Sequence, residues 1–219
     1  MGGCCDPSGY KRQFNERKAQ RHADEYRTHG LDATARDLVD HLLERGVDGA
    51  TVLEIGGGVG GIQFDLLRAG AAHTTSVEMS PDYGAMAEKL AQAAGLRGRM
   101  DSLIGDLVEL APRIEPADIV VMHRVVCCYP YLDRLLAPAA DRARRSLALT
   151  YPRRNALTRS VLRLWNAWLW LTRCSFRLYV HAPAEIERIA REHGLGPAFR
   201  RRRFIWESVV YERAGAFSG

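Results

Sequence analysis

Short apolar runs alternate with longer amphipathic segments along most of this chain. The apolar runs predict strands at residues 51–55, 74–78, 99–104, 117–122 and 146–151. The segments between them predict helices at 60–69, 81–94 and 132–145. Two further strands, 199–205 and 207–212, are expected close together near the end of the chain. Strands separated by helices favour an α/β fold built on a parallel sheet.

Two segments lie outside this alternation. Within residues 1–46, an apolar stripe of Leu38, Leu42 and Leu43 predicts a helical N-terminal extension over residues 13–45 that covers the mouth of the sheet. Residues 153–193 form an insertion that we expect to shape a pocket for an acceptor. We expect one domain over residues 1–219, because a chain of 219 residues with 47% hydrophobic content can bury a full core.

The insertion begins with an aromatic amphipathic helix. One predicted face carries large apolar side chains, at Leu162, Trp165, Trp168 and Leu169. The other face carries Arg163, Asn166, Trp170 and Arg173. The helix is too short to span a bilayer, which needs about 20 apolar residues. Three interpretations stay open: packing on the core, a lid that presents indoles to an apolar acceptor, and contact with a membrane surface.

The first strand ends in an acid that is followed by glycines. Gly56, Gly58 and Gly60 allow the backbone to turn sharply and to approach a ligand closely. Because Gly61 also completes the pattern G-x-G-x-x-G, the glycines suit a dinucleotide as well as S-adenosylmethionine (SAM). Glu54 favours SAM, since a carboxylate here would repel a pyrophosphate but attract a sulfonium and an ammonium group.

Two further acids follow the next strands. Glu78 ends the second strand, where a carboxylate can accept hydrogen bonds from ribose hydroxyls. Gly105-Asp106 ends the third strand. The alternative for both Glu78 and Asp106 is a structural role as a helix cap. An ordered series of three acids nevertheless favours a nucleoside site.

The glycine segment resembles the first motif of class I SAM-dependent methyltransferases, E/D-x-G-x-G-x-G. The resemblance implies a Rossmann-like, seven-stranded, mostly parallel sheet with helices on both faces and an antiparallel C-terminal strand pair. It also implies SAM as cofactor, S-adenosylhomocysteine as product, and contact between Asp106 and adenine. The predicted cofactor-binding residues are Glu54, Gly56, Gly57, Gly58, Gly60, Glu78, Met79, Asp106, Leu107 and His123.

Fragments spread along the chain are similar to magnesium-protoporphyrin O-methyltransferases and fall in the same order. They are Gly9-Tyr10 followed by Phe14, Tyr129-Pro130, the segment 176–181 and the segment 209–212. The chain departs from that family in carrying Cys127-Cys128 where a His tends to precede Tyr-Pro, and in adding Cys4-Cys5. This resemblance implies an architecture and a pocket position, and it leaves the substrate open.

The expected reaction is an in-line displacement at the SAM methyl group, which needs a general base only if the acceptor keeps its proton near neutral pH. The catalytic candidates are His123, His181 and Tyr129, and histidine titrates in the useful range. The candidate acceptor contacts are Tyr10, Cys127, Cys128, Trp165 and Trp168. For each of these residues, a packing role is the alternative.

The cysteines and the N-terminus indicate a reducing compartment. Five cysteines with two adjacent pairs are not typical of a secreted disulfide framework. We expect no metal, because directly adjacent cysteines aim poorly at one ion, although a thiophilic acceptor stays open. The first residues show neither a basic leader nor an apolar core, so we expect a cytoplasmic protein.

The net charge of +5 includes one dense basic cluster, residues 200–203. This cluster lacks interleaved aromatic residues, so we expect no nucleic-acid partner. The favoured function is methyl transfer to a small, apolar or aromatic acceptor through an O-, N- or C-nucleophile. An RNA or protein methyltransferase, a nicotinamide-dependent reductase and a nucleotide-binding protein without catalysis remain alternatives. Peripheral membrane contact and the oligomeric state are left open.

Overall fold

One mixed sheet organises the molecule. The computed structural model describes residues 7–216, with side chains from Gly9 onward. The strands are β1 (Thr51–Ile55), β2 (His73–Glu78), β3 (Met100–Ile104), β4 (Ala117–His123), β5 (Ala143–Pro152), β6 (Leu195–Arg202) and β7 (Trp206–Arg213). Their order is β3-β2-β1-β4-β5-β7-β6, and β7 runs antiparallel to both of its neighbours. The predicted Rossmann-like sheet with its antiparallel C-terminal pair is confirmed.

Helices surround this sheet. They are α1 (Pro7–Gln13), α2 (Glu16–His29), α3 (Ala33–Glu44), α4 (Gly61–Arg68), α5 (Pro81–Ala93), α6 (Leu107–Leu110), α7 (Leu132–Arg142), α8 (Ala156–Leu171) and α9 (Pro183–Glu192). Short 3-10 turns occupy Arg97–Arg99, Ala111–Arg113 and Val126–Cys128. Every predicted strand is present, with boundaries within a few residues of those expected.

The two faces of the sheet support two apolar cores. Successive side chains of a strand point to opposite faces, so Leu53 and Ile55 of β1 pack with α7 and α9. Val52 faces the other way and packs with helices α2 to α5. This placement of helices on both faces positions the carboxyl ends of the parallel strands along one open edge.

The N-terminal extension is three helices rather than one helical run. The side chain of Asn15 accepts a hydrogen bond from the Lys18 amide and begins α2. Gly30, with φ of 71°, ends α2, and Asp32 accepts hydrogen bonds from the amides of Thr34 and Ala35 to begin α3. These capping residues interrupt the apolar periodicity that favoured one continuous segment.

The boundary between α7 and β5 also differs from the prediction. The helix ends at Arg142 and not at Arg145, because Ala143 already pairs with Ala117 of β4. The strand ends at Pro152, which is its last residue and pairs with Trp206 of β7. Since β4 stops opposite Thr150, the missing amide hydrogen of Pro152 removes no bond to β4.

Helix α8 buries fewer of its apolar residues than its sequence pattern predicts. Leu162 and Leu169 are buried, whereas Trp165 and Trp168 are 43% and 53% exposed. Asn166, expected on the outer face, exchanges two hydrogen bonds with the backbone of Leu178, at 2.8 and 2.9 Å. Within residues 7–216, no helix has both the length and the apolar character needed to cross a membrane.

The basic cluster of residues 200–203 is paired with acids of the fold. Arg201 and Arg203 pair with Asp37 of α3, at 3.0 and 2.6 Å. The other two, Arg200 and Arg202, pair with Glu207, at 3.4 and 3.5 Å. These arginines therefore connect β6, β7 and α3 through ion pairs.

The ionised state of buried Asp37 depends on its pairing with Arg201 and Arg203. Burial favours the neutral carboxyl, but hydrogen bonds from Arg203 and Arg201 outweigh that effect and lower the pKa of Asp37. A carboxylate whose pKa is lower in the folded state contributes stability above its unfolded pKa of about 3.9. That contribution is lost as the pH falls through the lower folded value.

We expect Asp37→Asn to lower the free energy of unfolding by about 1–3 kcal/mol at neutral pH, because two guanidinium groups lose a charged acceptor. The variant should also lose less stability than the parent protein between about pH 5 and pH 3. Urea unfolding over this pH range measures both effects. Asp101→Asn is the matched control, since Asp101 pairs with His73 at an exposed position. Equal effects of the two substitutions would contradict the prediction.

Candidate functional site

A cavity of about 390 Å³ lies at the carboxyl ends of β1, β2 and β4. β1 is flanked by β2 on one side and β4 on the other, and open α/β sheets bind ligands at such a switch point. Its wall includes the glycine turn after β1 and aromatic residues of the N-terminal helices. The volume lies within the range of roughly 300–1,000 Å³ that small-molecule sites occupy.

The glycine turn brings the backbone against the cavity. Gly58 has φ of 57°, a conformation that favours glycine, and its amide donates to Glu78 Oε2 at 3.0 Å. A Cβ on Gly57 would lie 2.8 Å from Gln63 Nε2 and 2.9 Å from Ser76 Oγ. The turn therefore has room for a ligand on one side and none for a side chain on the other.

Glu54 is a buried acid beneath this turn. It is 2% exposed, and its Oε2 has no hydrogen-bond partner within the described part of the chain. Burial raises the pKa of Glu54 to about 8, with Gln63 opposing the shift and the charge of Glu78 adding to it. A positively charged group in the cavity would stabilise the ionised form, so Glu54 suits the ammonium or sulfonium of SAM.

Glu78 joins three parts of the chain. Its Oε1 accepts hydrogen bonds from the Ser80 amide at 2.8 Å and from the Tyr10 hydroxyl at 3.2 Å. Its Oε2 accepts the Gly58 amide. Burial raises the pKa of Glu78, and the Ser80 and Gly58 amides work against that shift. The carboxylate thus fixes the glycine turn, the start of α5 and helix α1 relative to one another.

Aromatic contacts hold α1 over the cavity. The ring centroids of Tyr10 and Phe14 are 4.4 Å apart, and those of Phe14 and Phe176 are 5.5 Å apart. The carbonyl oxygen of Phe14 also accepts a hydrogen bond from Ser80 Oγ at 2.9 Å. Helix α1 therefore forms one wall of the site, between β2 and the segment that follows α8.

Asp106 caps a helix and also borders the cavity. Its Oδ1 accepts the Val108 amide at 2.9 Å and so caps α6. Its Oδ2 accepts a hydrogen bond from the Tyr129 hydroxyl at 3.2 Å, and both residues border the cavity. Tyr129, a candidate for catalysis, thus directs its hydroxyl at the acid that the resemblance assigns to adenine.

His123 borders the cavity with both ring nitrogens engaged. Nε2 lies 3.0 Å from Asp32 Oδ2, and Nδ1 lies 3.0 Å from Thr150 Oγ1. Thr150 accepts the Arg124 amide, so its own hydroxyl hydrogen can point to Nδ1. This pattern assigns the ring proton to Nε2. Burial lowers the pKa of His123 while Asp32 opposes that shift, and the ring has no free lone pair for an acceptor.

The cluster around His123 includes residues that the sequence did not indicate. Arg124 has φ of 57°, and its guanidinium lies 4.7 Å from the Trp206 ring centroid and 3.2 Å from Asp32 Oδ1. Burial favours the neutral form of Asp32, but hydrogen bonds from His123 and Thr34 and the charge of Arg124 hold its pKa well below the usual range. The sequence Asp32-x-Thr34, which is typical of a helix N-cap, was the one signal that could have placed Asp32 at the start of a helix.

A second histidine that borders the cavity was also missed. His22 Nδ1 lies 3.0 Å from the Tyr83 hydroxyl, and both residues belong to the wall. Burial lowers the pKa of His22. It lies on α2, where a lone His in a polar helix gives no sequence signal of a site.

His181 is held beside the cavity wall. Its Nε2 donates to the Tyr129 carbonyl at 2.9 Å, so in the neutral ring the lone pair is on Nδ1. The ring stacks on Tyr179 with centroids 6.3 Å apart. His181 contacts a wall residue but does not itself border the cavity. Its role as a base stays a prediction.

The cysteine pair lies behind the turn after β4. Cys128 borders the cavity, and its Sγ is 3.9 Å from that of buried Cys127. Both thiols donate to the Arg124 carbonyl, at 3.4 and 3.5 Å. Cys4-Cys5 falls outside the described residues. Among residues 7–216, no three His, Cys, Asp or Glu side chains come together as metal ligands do.

The predicted site residues are thus only partly brought together. Those that border the cavity are Glu54, Gly56, Gly57, Gly58, Glu78, Met79, Asp106, Leu107, His123, Tyr10, Cys128 and Tyr129. Gly60 instead begins α4, with φ of 87°. Cys127 lies behind the wall, and Trp165 and Trp168 lie on the outer side of α8. Acceptor contact by these three residues stays a prediction.

Residues 52–148 match a family described as a methyltransferase domain. This match covers β1 to β4, the glycine turn and most of the acids described above. Over these residues the chain carries a methyltransferase domain. The predicted enzyme class and the predicted cofactor are confirmed.

Solved structures share the fold of this methyltransferase. A magnesium protoporphyrin IX methyltransferase from Synechocystis PCC 6803, crystallised with S-adenosylhomocysteine, has a TM-score of 0.72 at 21% identity, over 95% of this chain and 100% of that chain. A putative sarcosine dimethylglycine methyltransferase from Galdieria sulphuraria has a TM-score of 0.67 at 15% identity, over 82% and 85%. The mitomycin 7-O-methyltransferase MmcR has a TM-score of 0.66 at 20% identity, over 94% and 61%. A search of curated proteins gives no match.

We expect the stability of this methyltransferase without cofactor to fall as the pH rises from about 5 to 8.5. The raised pKa of Glu54 means that the fold favours its protonated form, whose contribution is full below the unfolded pKa of about 4.3 and is lost through the folded value of about 8. Glu54→Gln should flatten this dependence, as measured by urea unfolding at each pH.

Glu88→Gln is the control for this substitution, because Glu88 is a half-exposed acid paired with Arg97. It should leave the slope of stability against pH unchanged. A Glu54→Gln protein with the parent slope would show that Glu54 is ionised in the free protein.

Proposed function

We propose that this methyltransferase transfers the methyl group of SAM to a small acceptor with an apolar or aromatic body, through an O-, N- or C-nucleophile. One observation carries the proposal. The same cavity borders the glycine turn with its acids and an apolar wall of Phe14, Val125, Cys128 and Tyr129. A cofactor held at the acids leaves this apolar wall for the acceptor. We further propose that residues 1–219 act as one domain. Residues of the segment 1–46 border the cavity, whereas none of the segment 153–193 does, so that this insertion shapes the cavity only from behind, by packing against Tyr10 and Cys128.

The residues of the cavity suit SAM better than a dinucleotide. Glu78 occupies the Gly58 amide, which a pyrophosphate would otherwise need as a donor, and buried Glu54 adds a second acid below the turn. In our proposal Glu78 binds the ribose, Asp106 and Leu107 contact adenine, and Glu54 faces the amino acid part of the cofactor. SAM supplies an activated methyl group for displacement. The protein orients the acceptor and excludes water.

The pairing of the dense basic cluster supports a small acceptor over RNA. An RNA acceptor needs a broad basic face. In this chain the one dense basic cluster is paired with Asp37 and Glu207. The pairing leaves arginines 200–203 engaged within the fold, so they supply little free charge for phosphates.

The histidines favour an acceptor that is already nucleophilic at neutral pH, such as a carboxylate. His123 has both ring nitrogens engaged, and His181 does not border the cavity. In our proposal, His123 positions the turn after β4 through Asp32 and Thr150. His181 becomes the candidate base for a protonated acceptor, because its Nδ1 keeps a lone pair.

We expect calorimetric titration with S-adenosylhomocysteine to show binding in the micromolar range, and parallel titrations with NADH and NADPH to show none. The glycine turn can offer its ligand only those amides that Glu78 leaves free, and the two acids oppose a pyrophosphate. Binding of a nicotinamide cofactor alone would overturn the cofactor assignment. After a positive result, apolar carboxylic acids and phenols are the first acceptors to test for methyl transfer.

We expect Glu78→Ala to weaken binding of S-adenosylhomocysteine about 10- to 100-fold, as hydrogen bonds to a charged group are lost. Tyr10→Phe should weaken it less, because it removes one hydroxyl and leaves the carboxylate. Glu88→Ala is the control with an exposed acid on α5. Unchanged affinity in a folded Glu78→Ala protein would place Glu78 outside the cofactor site.

A further inference from the structure

Helix α8 exposes a continuous apolar stripe. Positions 157, 161, 164, 168 and 171 are separated by alternating steps of four and three, so they lie along one side of the helix. The stripe consists of Leu157, Val161, Leu164, Trp165, Trp168 and Leu171. These residues are between 40% and 73% exposed. Monomeric proteins rarely leave so many large apolar side chains exposed side by side, and such patches mark contact surfaces.

The stripe is separate from the face that attaches α8 to the protein. Leu169 packs with Cys174 and Phe176, and Tyr10 and Cys128 pack against this cluster. The inner face of α8 is thus in contact with residues that border the cavity. The stripe itself serves neither the core nor the cavity wall.

A second apolar group emerges beside the start of α8. Phe204 lies in the turn between β6 and β7 and is 74% exposed. This turn is joined to the start of the insertion, because the Arg153 amide donates to the Ile205 carbonyl at 2.7 Å and its guanidinium to the Arg203 carbonyl at 3.1 Å. Two neighbouring elements therefore present apolar side chains to solvent.

The sequence around α8 carries charge of one sign. Residues 142–184 contain no Asp or Glu, while arginines occur at 142, 144, 145, 153, 154, 159, 163, 173 and 177. Arg159 and Arg163 lie on the exposed side of α8 away from the stripe. Unlike arginines 200–203, these two make no ion pair with any residue between 7 and 216. Their charge remains available to an anionic partner.

We propose that the stripe of α8 binds the surface of an anionic lipid bilayer, with the helix lying in the plane of the interface. Exposed leucines and indoles along one side of a helix, with arginines on another exposed side, are typical of interfacial helices. Indole rings favour the headgroup region, and each arginine near an anionic surface adds attraction. The membrane contact does not depend on the proposed acceptor. If both hold, the bilayer is the phase from which an apolar acceptor reaches the cavity.

The observations favour a bilayer over a second copy of the chain. The steps of four and three are also those of a coiled-coil seam. In such a seam, however, the flanking positions would be Thr158, Ser160, Trp165 and Ala167, none of which carries a charge to select a partner. Arginines of the two copies would also approach one another with no acid in residues 142–184 to pair with them.

Vesicle flotation of the full chain tests the proposal. We expect binding to vesicles of phosphatidylcholine with about one quarter phosphatidylglycerol, weaker binding to phosphatidylcholine alone, and a decrease as salt is raised. Three of the four tryptophans lie in α8, so vesicle binding should also shift the tryptophan emission to shorter wavelength. Equal binding to both vesicle types, or none to either, would overturn the proposal.

Paired variants locate the contact. Leu164→Ser/Leu171→Ser should lower vesicle partitioning roughly tenfold or more, since two exposed leucines no longer enter the interface. Leu43→Ser, at an exposed leucine of α3, should leave it unchanged. Both proteins should bind S-adenosylhomocysteine as the parent does, which separates this result from a failure of the proposed function. A dimer in lipid-free solution that the α8 variant dissociates would instead assign the stripe to a second copy.

Discussion

The site depends on the burial of carboxylates beneath a turn of glycines. Glu78 would be unfavourable in this position without donors, and it obtains them from the backbone of the glycine turn, from Ser80 and from Tyr10. Glu54 has no comparable set of donors, and burial raises its pKa to about 8. Glu78 thus holds the backbone of the turn in place, whereas the ionisation of Glu54 is sensitive to a charge placed in the cavity.

Local patterns were sufficient for the sheet and for the cofactor end of the cavity. β1 and its turn follow from an apolar run, an acid and glycines, which are all adjacent in sequence. The failures occurred where distant residues decide the outcome. His123 and Asp32 are separated by 91 positions, and their contact requires the break at Gly30 that a single helical pattern concealed. The left-handed backbone of Arg124 likewise has no signature in the residue itself.

The aromatic helix α8 shows a second limit of prediction from sequence. Its period correctly predicted an amphipathic helix, but periodicity does not tell which apolar residues meet the protein and which meet solvent. Asn166 supplies the missing information, because its two hydrogen bonds to Leu178 rotate α8 so that the indoles of Trp165 and Trp168 face outward. A polar residue on the inner face, together with buried Leu162 and Leu169, thus fixes the orientation of the helix. Periodicity is equally silent about which arginines form ion pairs within the fold, as arginines 200–203 do, and which face solvent, as Arg159 and Arg163 do.

The position of α1 has a practical consequence for how this protein is produced. Tyr10 contacts Glu78, and Phe14 contacts both Tyr83 and Phe176, so the first described helix is a wall of the cavity. Residues 7–14 contribute no strand, so a chain shortened to begin at Asn15 would keep the residues of the whole sheet. It would nevertheless lose Tyr10 and Phe14 and open the cavity on one side. Affinities measured on material trimmed in this way would therefore describe a different site.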